Sequence, residues 1–323
     1  MVRVAVLDDY QGVAREMADW SALPPGTEVQ VFRDHLAAEA DVAARLEGFD
    51  VVVAMRERTP FPRSLLSRLP ALRLLVTTGM RNASIDLAAA AESGVVVCGT
   101  GGGGGSTAEL AWGLILALLR QIPGEDAATR AGSWQVSLGV DLEGKTLGVL
   151  GLGRLGTRVA TVGRAFRMEV IAWSQNLSAE RAAAAGATLV PKDELLRRAD
   201  IVSIHLVLSD RTRGLLGARE LGLMRPTAYL INTSRGPIVD EAALVQTLHA
   251  GGIAGAGLDV FDQEPLPSGH PLLTAPRTVL TPHLGYVTRE TYRVFFGDAI
   301  EDIGAFLAGA PLRVIGPASP AGG

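Results

Sequence analysis

The stretch TLGVLGLGRLGTRVATVGRAF, residues 146–166, decides how this chain is read. It begins as an apolar run, passes through G-x-G-x-x-G at Gly151–Gly156, and continues with the apolar spacing of a helix. Glycine is abundant, 38 residues of 323, so the bare pattern is weak. Its place between a strand and a helix makes it strong. Gly151 permits the tight turn, Gly153 lets a pyrophosphate approach the backbone, and Gly156 allows close helix–strand packing. Arg154 and Leu155 complete the expected cofactor-binding turn. In such a unit an acid about twenty residues further on holds the adenosine ribose. Here the next strand, EVIAW (169–173), is followed by Ser174, Gln175 and Asn176. No Asp or Glu stands there to repel a 2′-phosphate. No arginine stands there to attract one either, Arg181 being the nearest candidate. NAD and NADP therefore both stay open.

Outward from this stretch, runs rich in Val, Ile and Leu alternate with Ala-rich amphipathic segments. That alternation predicts βα units and parallel sheets. On the N-terminal side the strands expected are 2–8, 27–32, 51–55, 72–78 and 95–99, with helices over 11–20, 36–49, 63–69 and 85–93. On the C-terminal side strands are expected at 200–206, 227–234, 254–260 and 278–283, then a helix over 290–309. A chain of 323 residues exceeds one ordinary core and predicts two domains.

Between the two series lies GTGGGGGSTAEL (99–110), five consecutive glycines running into an apolar helix over 107–120. It lacks the Lys-Ser/Thr that closes a P-loop, so it reads as a hinge and not as a phosphate cradle. A second crossing is expected near 284–290. Ser106 or Thr107 is expected to cap the helix.

Composition excludes several classes. Hydrophobic residues make up 48% and the formal charge is −4, so sizeable cores are available and no basic stripe invites nucleic acid. The one cysteine, Cys98 in VVVCG, allows no intramolecular disulfide or multi-cysteine metal cluster and reads as core packing. No metal is expected. The longest apolar run, 110–119, is too short to span a bilayer, and the N-terminus is not a signal peptide. The expectation is a cytoplasmic globular protein with no membrane partner. No effector domain follows residue 323, so feedback through one is not expected.

Three further stretches end late strands with ionisable groups: NTSRGPIVD (232–240), LDVFDQEPLP (258–267) and TPHLGYVT (281–288). In an open α/β sheet that edge binds ligands. Together with GLGRLG, in this order and spacing, they resemble the D-isomer-specific 2-hydroxyacid dehydrogenase family over nearly the whole chain. The resemblance implies an α/β fold of two doubly wound parallel-sheet domains. One is a Rossmann-type cofactor domain, 100–287. The other is a discontinuous flavodoxin-like substrate domain, 1–99 with 288–323. It also implies a homodimer, for which Leu110, Leu114 and Leu118 offer an apolar face.

The residues suit that chemistry on their own terms. Reducing a 2-keto acid to a D-2-hydroxy acid needs a hydride donor, a proton donor and a cation for the carboxylate. Arg235 offers a planar fork for the carboxylate. His283 can deliver the proton at neutral pH. Glu264, 19 residues earlier, can hold the imidazole and favour its protonated form. Asp259 can accept from the nicotinamide carboxamide. The resemblance assigns these four residues the same roles. His205, Thr233, Ser234 and Gly285 join the expected cofactor-binding set. By resemblance, the amides of Thr78, Gly79 and Met80 meet the substrate carboxylate. Arg56 or Arg58 can contact the substrate or remain solvated loop charges. His270 in SGHPLL is the rival to His283, while His35 and His249 sit in bland helical contexts.

Two departures stand out, the missing ribose acid and TTGMRNASID, where many members have a second glycine. Two other function classes compete. One is a non-catalytic NAD(P)-sensing regulator. The other is a formate- or phosphite-type dehydrogenase.

Overall fold

The computed structural model describes residues 1–102 and 104–316, so Gly103, within the proposed hinge, and the end of the chain lie outside the described residues. The chain divides into two units, Met1–Gly104 with Thr288–Gly323, and Gly105–Val287. Residues 100–104 therefore belong with the first unit, five positions beyond the boundary expected from sequence.

Unit 1 is one parallel sheet of five strands: β1 (Val2–Val6), β2 (Thr27–Val31), β3 (Val51–Ala54), β4 (Leu74–Thr77) and β5 (Val96–Gly99). Their order is β2-β1-β3-β4-β5, the flavodoxin-like doubly wound arrangement. The central strands β3 and β4 are buried at every position, as helices on both faces require. The C-terminal helix Arg289–Leu307, capped by the Thr288 hydroxyl, returns to pack on β4 and on the short helix Ala14–Met17. Cys98 is buried in β5, and burial pushes its thiol up to about 11, which fits the packing role.

Unit 2 is a seven-stranded parallel sheet: β6 (Thr146–Leu150), β7 (Glu169–Trp173), β8 (Thr188–Leu189), β9 (Ile201–Ile204), β10 (Tyr229–Asn232), β11 (Gly255–Leu258) and β12 (Thr278–Leu280). The order β12-β11-β10-β9-β6-β7-β8 reverses direction between β6 and β9, the switch point of a Rossmann sheet. Two-residue β8 was not legible in the sequence.

The helix Ser106–Leu119 lies across β10, β11 and β12. Two expectations about it are corrected. Its N-cap is Gly105, with no side-chain cap. Thr107 instead donates to the Gly285 carbonyl at 2.8 Å. Leu114 and Leu118 are not a partner-facing surface but are buried in the unit's own core, because the sheet needs an apolar cover on that face. Exposed apolar groups lie further on, at Ile122 and along the extended segment carrying Trp134, Val136 and Leu138. Among the described residues no helix is long and apolar enough to cross a membrane, and no cluster of His, Cys, Asp or Glu has a metal-holding arrangement.

Candidate active site

The dinucleotide turn follows β6. Gly151 has φ +97°, and a Cβ there would lie 2.6 Å from the His205 carbonyl oxygen. A Cβ on Gly156 would lie 2.0 Å from the Gly151 carbonyl oxygen. Both positions admit only glycine, because helix and strand touch through bare backbone. Gly153 differs: it is the N-cap of the helix Arg154–Ala165, and nothing lies within 4 Å of where its Cβ would be. An open space therefore faces the helix N-terminus, whose first amides, those of Arg154, Leu155 and Gly156, have no intrahelical acceptors. This is the geometry of a pyrophosphate cradle. The Gly151 amide donates to Trp173 O at 2.8 Å, which ties the end of β7 to the same turn. Ser174 is half-buried there, and Gln175 is exposed. The Arg181 guanidinium reaches this turn, donating to Asn176 O at 3.4 Å.

Across the switch point, His205 leaves β9 with its amide on Leu150 O at 2.7 Å. Its Nε2 meets Ser203 Oγ at 2.8 Å, a partner that sequence reasoning missed. Its Nδ1 is sealed from solvent without a partner. Burial lowers its pKa to about 4, so the ring is neutral. At the end of β10, Asn232 shapes the loop: its Oδ1 accepts from the Ser234 amide at 3.0 Å and its Nδ2 donates to Arg235 O at 3.0 Å. An Asn two residues before a Ser at a strand end was the available signal for this turn. Ser234 Oγ donates to Ile204 O at 2.8 Å, while the buried Thr233 hydroxyl has no protein partner. Orphaned polar atoms beside an open cradle suit a polar dinucleotide, which would give them partners.

The three expected catalytic residues stand on neighbouring strand ends. Arg235 follows β10, and its Nη1 donates to Ser234 O at 2.7 Å. A Cβ on Gly236 would lie 2.1 Å from the Phe261 carbonyl carbon, so the Arg235 loop presses directly on the loop after β11. In that loop Glu264 Oε1 accepts from the Phe261 amide at 3.0 Å. Glu264 Oε2 meets His283 Nδ1 at 2.6 Å. Both carboxylate oxygens are thus committed, and the imidazole is held through Nδ1 with Nε2 on its far side. The Tyr286 ring stands edge-on to His283 at 5.3 Å.

Asp259 carries a structural task beside its expected role. It is fully buried, and its two oxygens accept from Thr281 Oγ1 at 2.6 Å, the Leu284 amide at 2.7 Å and the Gly285 amide at 2.9 Å. Burial pushes its pKa up, while these three donors pull it down. Its first task is to pin the loop of residues 281–285, which the sequence did not reveal.

Unit 1 corrects another expectation. The Thr78 amide donates to Ala54 O at 3.0 Å and the Gly79 amide to Thr100 Oγ1 at 2.8 Å, so two of the three amides expected for substrate are already used. Met80, exposed at the turn, makes no such bond. Arg56 lies over this turn, its Nη1 donating to Thr78 O at 3.0 Å. Arg58 instead donates to Asp8 O at 2.8 Å and stacks on Tyr10 at 4.5 Å. His270, the rival to His283, caps a 3-10 turn by accepting from Leu272 N at 3.3 Å and pairs with Glu241 at 3.0 Å.

Comparison with known proteins agrees with this geometry. The family described as D-isomer specific 2-hydroxyacid dehydrogenase, NAD binding domain, matches residues 112–285, more than half of the chain. A glyoxylate reductase from Aeropyrum pernix is 44% identical over 255 residues, covering 76% of each chain. A D-3-phosphoglycerate dehydrogenase from Archaeoglobus fulgidus is 37% identical over 264 residues, but this chain spans only 50% of it. The solved structure of a phosphoglycerate oxidoreductase from Vibrio cholerae superposes with a TM-score of 0.91 at 37% identity, covering 96% of this chain and 100% of that one. The comparisons lend no support to the non-catalytic reading. The chain belongs to the D-isomer-specific 2-hydroxyacid dehydrogenase family, oxidoreductases that move a hydride between a nicotinamide dinucleotide and the 2-keto or 2-hydroxy carbon of a small acid.

Proposed function

We propose that this protein reduces a short 2-keto acid of the glyoxylate or hydroxypyruvate type to the D-2-hydroxy acid. The observation that carries the residue roles is the 2.6 Å contact between Glu264 Oε2 and His283 Nδ1. A carboxylate on Nδ1 accepts its N–H and fixes the ring, which leaves Nε2 to deliver a proton to the carbonyl oxygen. Arg235 binds the carboxylate in a bidentate fork and polarises the adjacent carbonyl. The bound dinucleotide supplies the hydride to the carbonyl carbon. The cradle at Gly151–Gly156, with Arg154 and Leu155, holds its pyrophosphate. His205, Thr233, Ser234, Asp259 and Gly285 line the remainder of its site. In unit 1, Met80 and Arg56 are proposed to contact the substrate, and Thr78 and Gly79 hold the turn that carries them.

The glyoxylate-type substrate rests on the glyoxylate reductase likeness, which spans three quarters of both chains. The longer phosphoglycerate dehydrogenase relative carries as much again beyond this chain's match. Both dinucleotides are proposed to bind, since Ser174 carries no charge and Arg181 stands at the same turn. A homodimer in the cytoplasm is proposed, with the exposed Trp134, Val136 and Leu138 as the apolar surface in place of the buried helix face.

The test is NADH and NADPH oxidation with a panel of 2-keto acids, for wild type and Glu264→Gln. Reduction is expected with both cofactors. The glutamine variant should lose kcat with KM little changed, because the neutral amide holds the ring less firmly through Nδ1 than the carboxylate does. A wild-type kcat would remove Glu264 from the mechanism. Ser174→Asp should favour NADH strongly, and a wild type already exclusive for NADH would refute the cofactor reading. Light scattering tests the dimer, which Leu138→Glu should dissociate.

A further inference from the structure

We propose that Thr107, in the first turn of the helix Ser106–Leu119, is a positioning residue for His283, acting through the Gly285 carbonyl. The inference rests on the proton-donor role proposed for His283.

His283 has φ +54°, in the left-handed region. A residue with a side chain stays there only where its surroundings fix it. The loop is fixed from two sides. On one side Asp259 takes Thr281 Oγ1 and the Leu284 and Gly285 amides, which bracket Pro282 and His283. Three donors converge on its two oxygens, an arrangement that suits the ionised carboxylate. On the other side Thr107 Oγ1 donates to Gly285 O at 2.8 Å. A Cβ on Gly285 would lie 3.1 Å from Thr107 and 3.2 Å from Asp259, so the backbone is wedged between these two side chains.

Thr107 sits where a hydroxyl at a helix start ordinarily serves the helix, yet the N-cap is Gly105 and makes no side-chain cap. The hydroxyl is spent on the loop. Without it, the Gly285 peptide loses one of its two anchors. The left-handed turn can then relax, and the 2.6 Å contact of His283 with Glu264 lengthens. Misplacing a reacting group by about 1 Å can cost up to 100-fold in rate.

Thr107→Val keeps the branched shape and deletes the donor, whereas Thr107→Ser keeps the donor. Both are compared with wild type in glyoxylate reduction at saturating dinucleotide, together with thermal melts. For the valine variant kcat should fall about tenfold with KM little changed. The serine variant should recover most of the rate. Should the valine variant fail to fold, Thr107→Ala gives the same readout. A wild-type kcat in the valine or alanine variant would overturn the proposal. So would equal losses in the valine and serine variants, or a loss shared equally between kcat and KM, which is the mark of packing alone. His283→Ala separates the two readings: if it is silent, the proton-donor assignment fails. If it is inactive while Thr107→Val is normal, only this inference fails.

Discussion

The two sheets end in edges of opposite character. At the C-terminal edge of unit 1 the polar groups around Asp8, Asp9, Thr78 and Gly79 satisfy one another. Asp9 accepts from the Val13 and Ala14 amides, both at 3.0 Å. Asp8 takes His35 at 2.9 Å and Thr59 at 2.7 Å, and the Thr78 and Gly79 amides are used internally. At the same edge of unit 2, polar groups are fixed but left with open valences. Among the described residues the Thr233 hydroxyl and His205 Nδ1 are buried without hydrogen-bond partners, and nothing lies within 4 Å of a Cβ placed on Gly153. A buried orphan costs about 1–3 kcal/mol, so such groups persist where something else supplies the partner. The difference agrees with the cofactor and chemistry proposed for unit 2 and with the few substrate contacts proposed for unit 1.

That contrast can be broken by mutation. The largest effect is expected for His283→Ala, a loss of about 10²–10⁴-fold in keto-acid reduction, with dinucleotide binding by fluorescence retained. If His270→Ala produced that loss instead, the assignment of edges would stand but the site would move. Next is Arg235→Lys, where the charge remains and the planar fork is lost. Losing a charge-assisted hydrogen bond is worth about 1.5–3 kcal/mol, so kcat/KM should fall about 10- to 100-fold. A wild-type value would show that Arg235 acts only as a point charge.

The third test is thermodynamic. His205 binds its proton less readily folded, at about 4, than a free histidine does at 6.5. The unfolded chain thus binds more protons across this window, and stability is lost as pH falls from about 6.5 through about 4. The loss should be on the order of 2–3 kcal/mol, and His205→Gln should flatten it. Melting curves in which the variant keeps the wild-type acid slope would show that the ring is charged in place. The smallest effect is expected for Arg56→Ala, which should raise KM by a few-fold at constant kcat. A matching fall in kcat would bring unit 1 into the transition state and erase the contrast drawn above.

Apart from the missed β8, the errors in reading the strands of unit 2 fall mainly at one end. The runs expected to end at Leu206, Ser234, Val260 and His283 leave the sheet at Ile204, Asn232, Leu258 and Leu280. Their N-terminal starts agree to within two residues. The surplus at each C-terminal end is the functional turn. Its composition continues that of the strand, but its backbone does not: Gly151 and His283 have positive φ, and Asn232 folds the chain onto its own side chain.

Periodicity is a local property, and so the sequence by itself determined two parallel α/β sheets and the glycine turn, and it put Arg235, Glu264 and His283 forward as the catalytic candidates. Partnership is not local. The sequence could not say that Asp259 pins a loop lying 25 residues on, nor that Thr107 reaches across 178 residues to the Gly285 carbonyl. Nor could it say that Leu114 and Leu118 turn inward, or that Thr78 and Gly79 spend their amides at home. Each of these is a choice between equally plausible acceptors or faces. Only the tertiary structure makes it, because a hydrogen bond is decided by which groups packing brings within about 3 Å of one another.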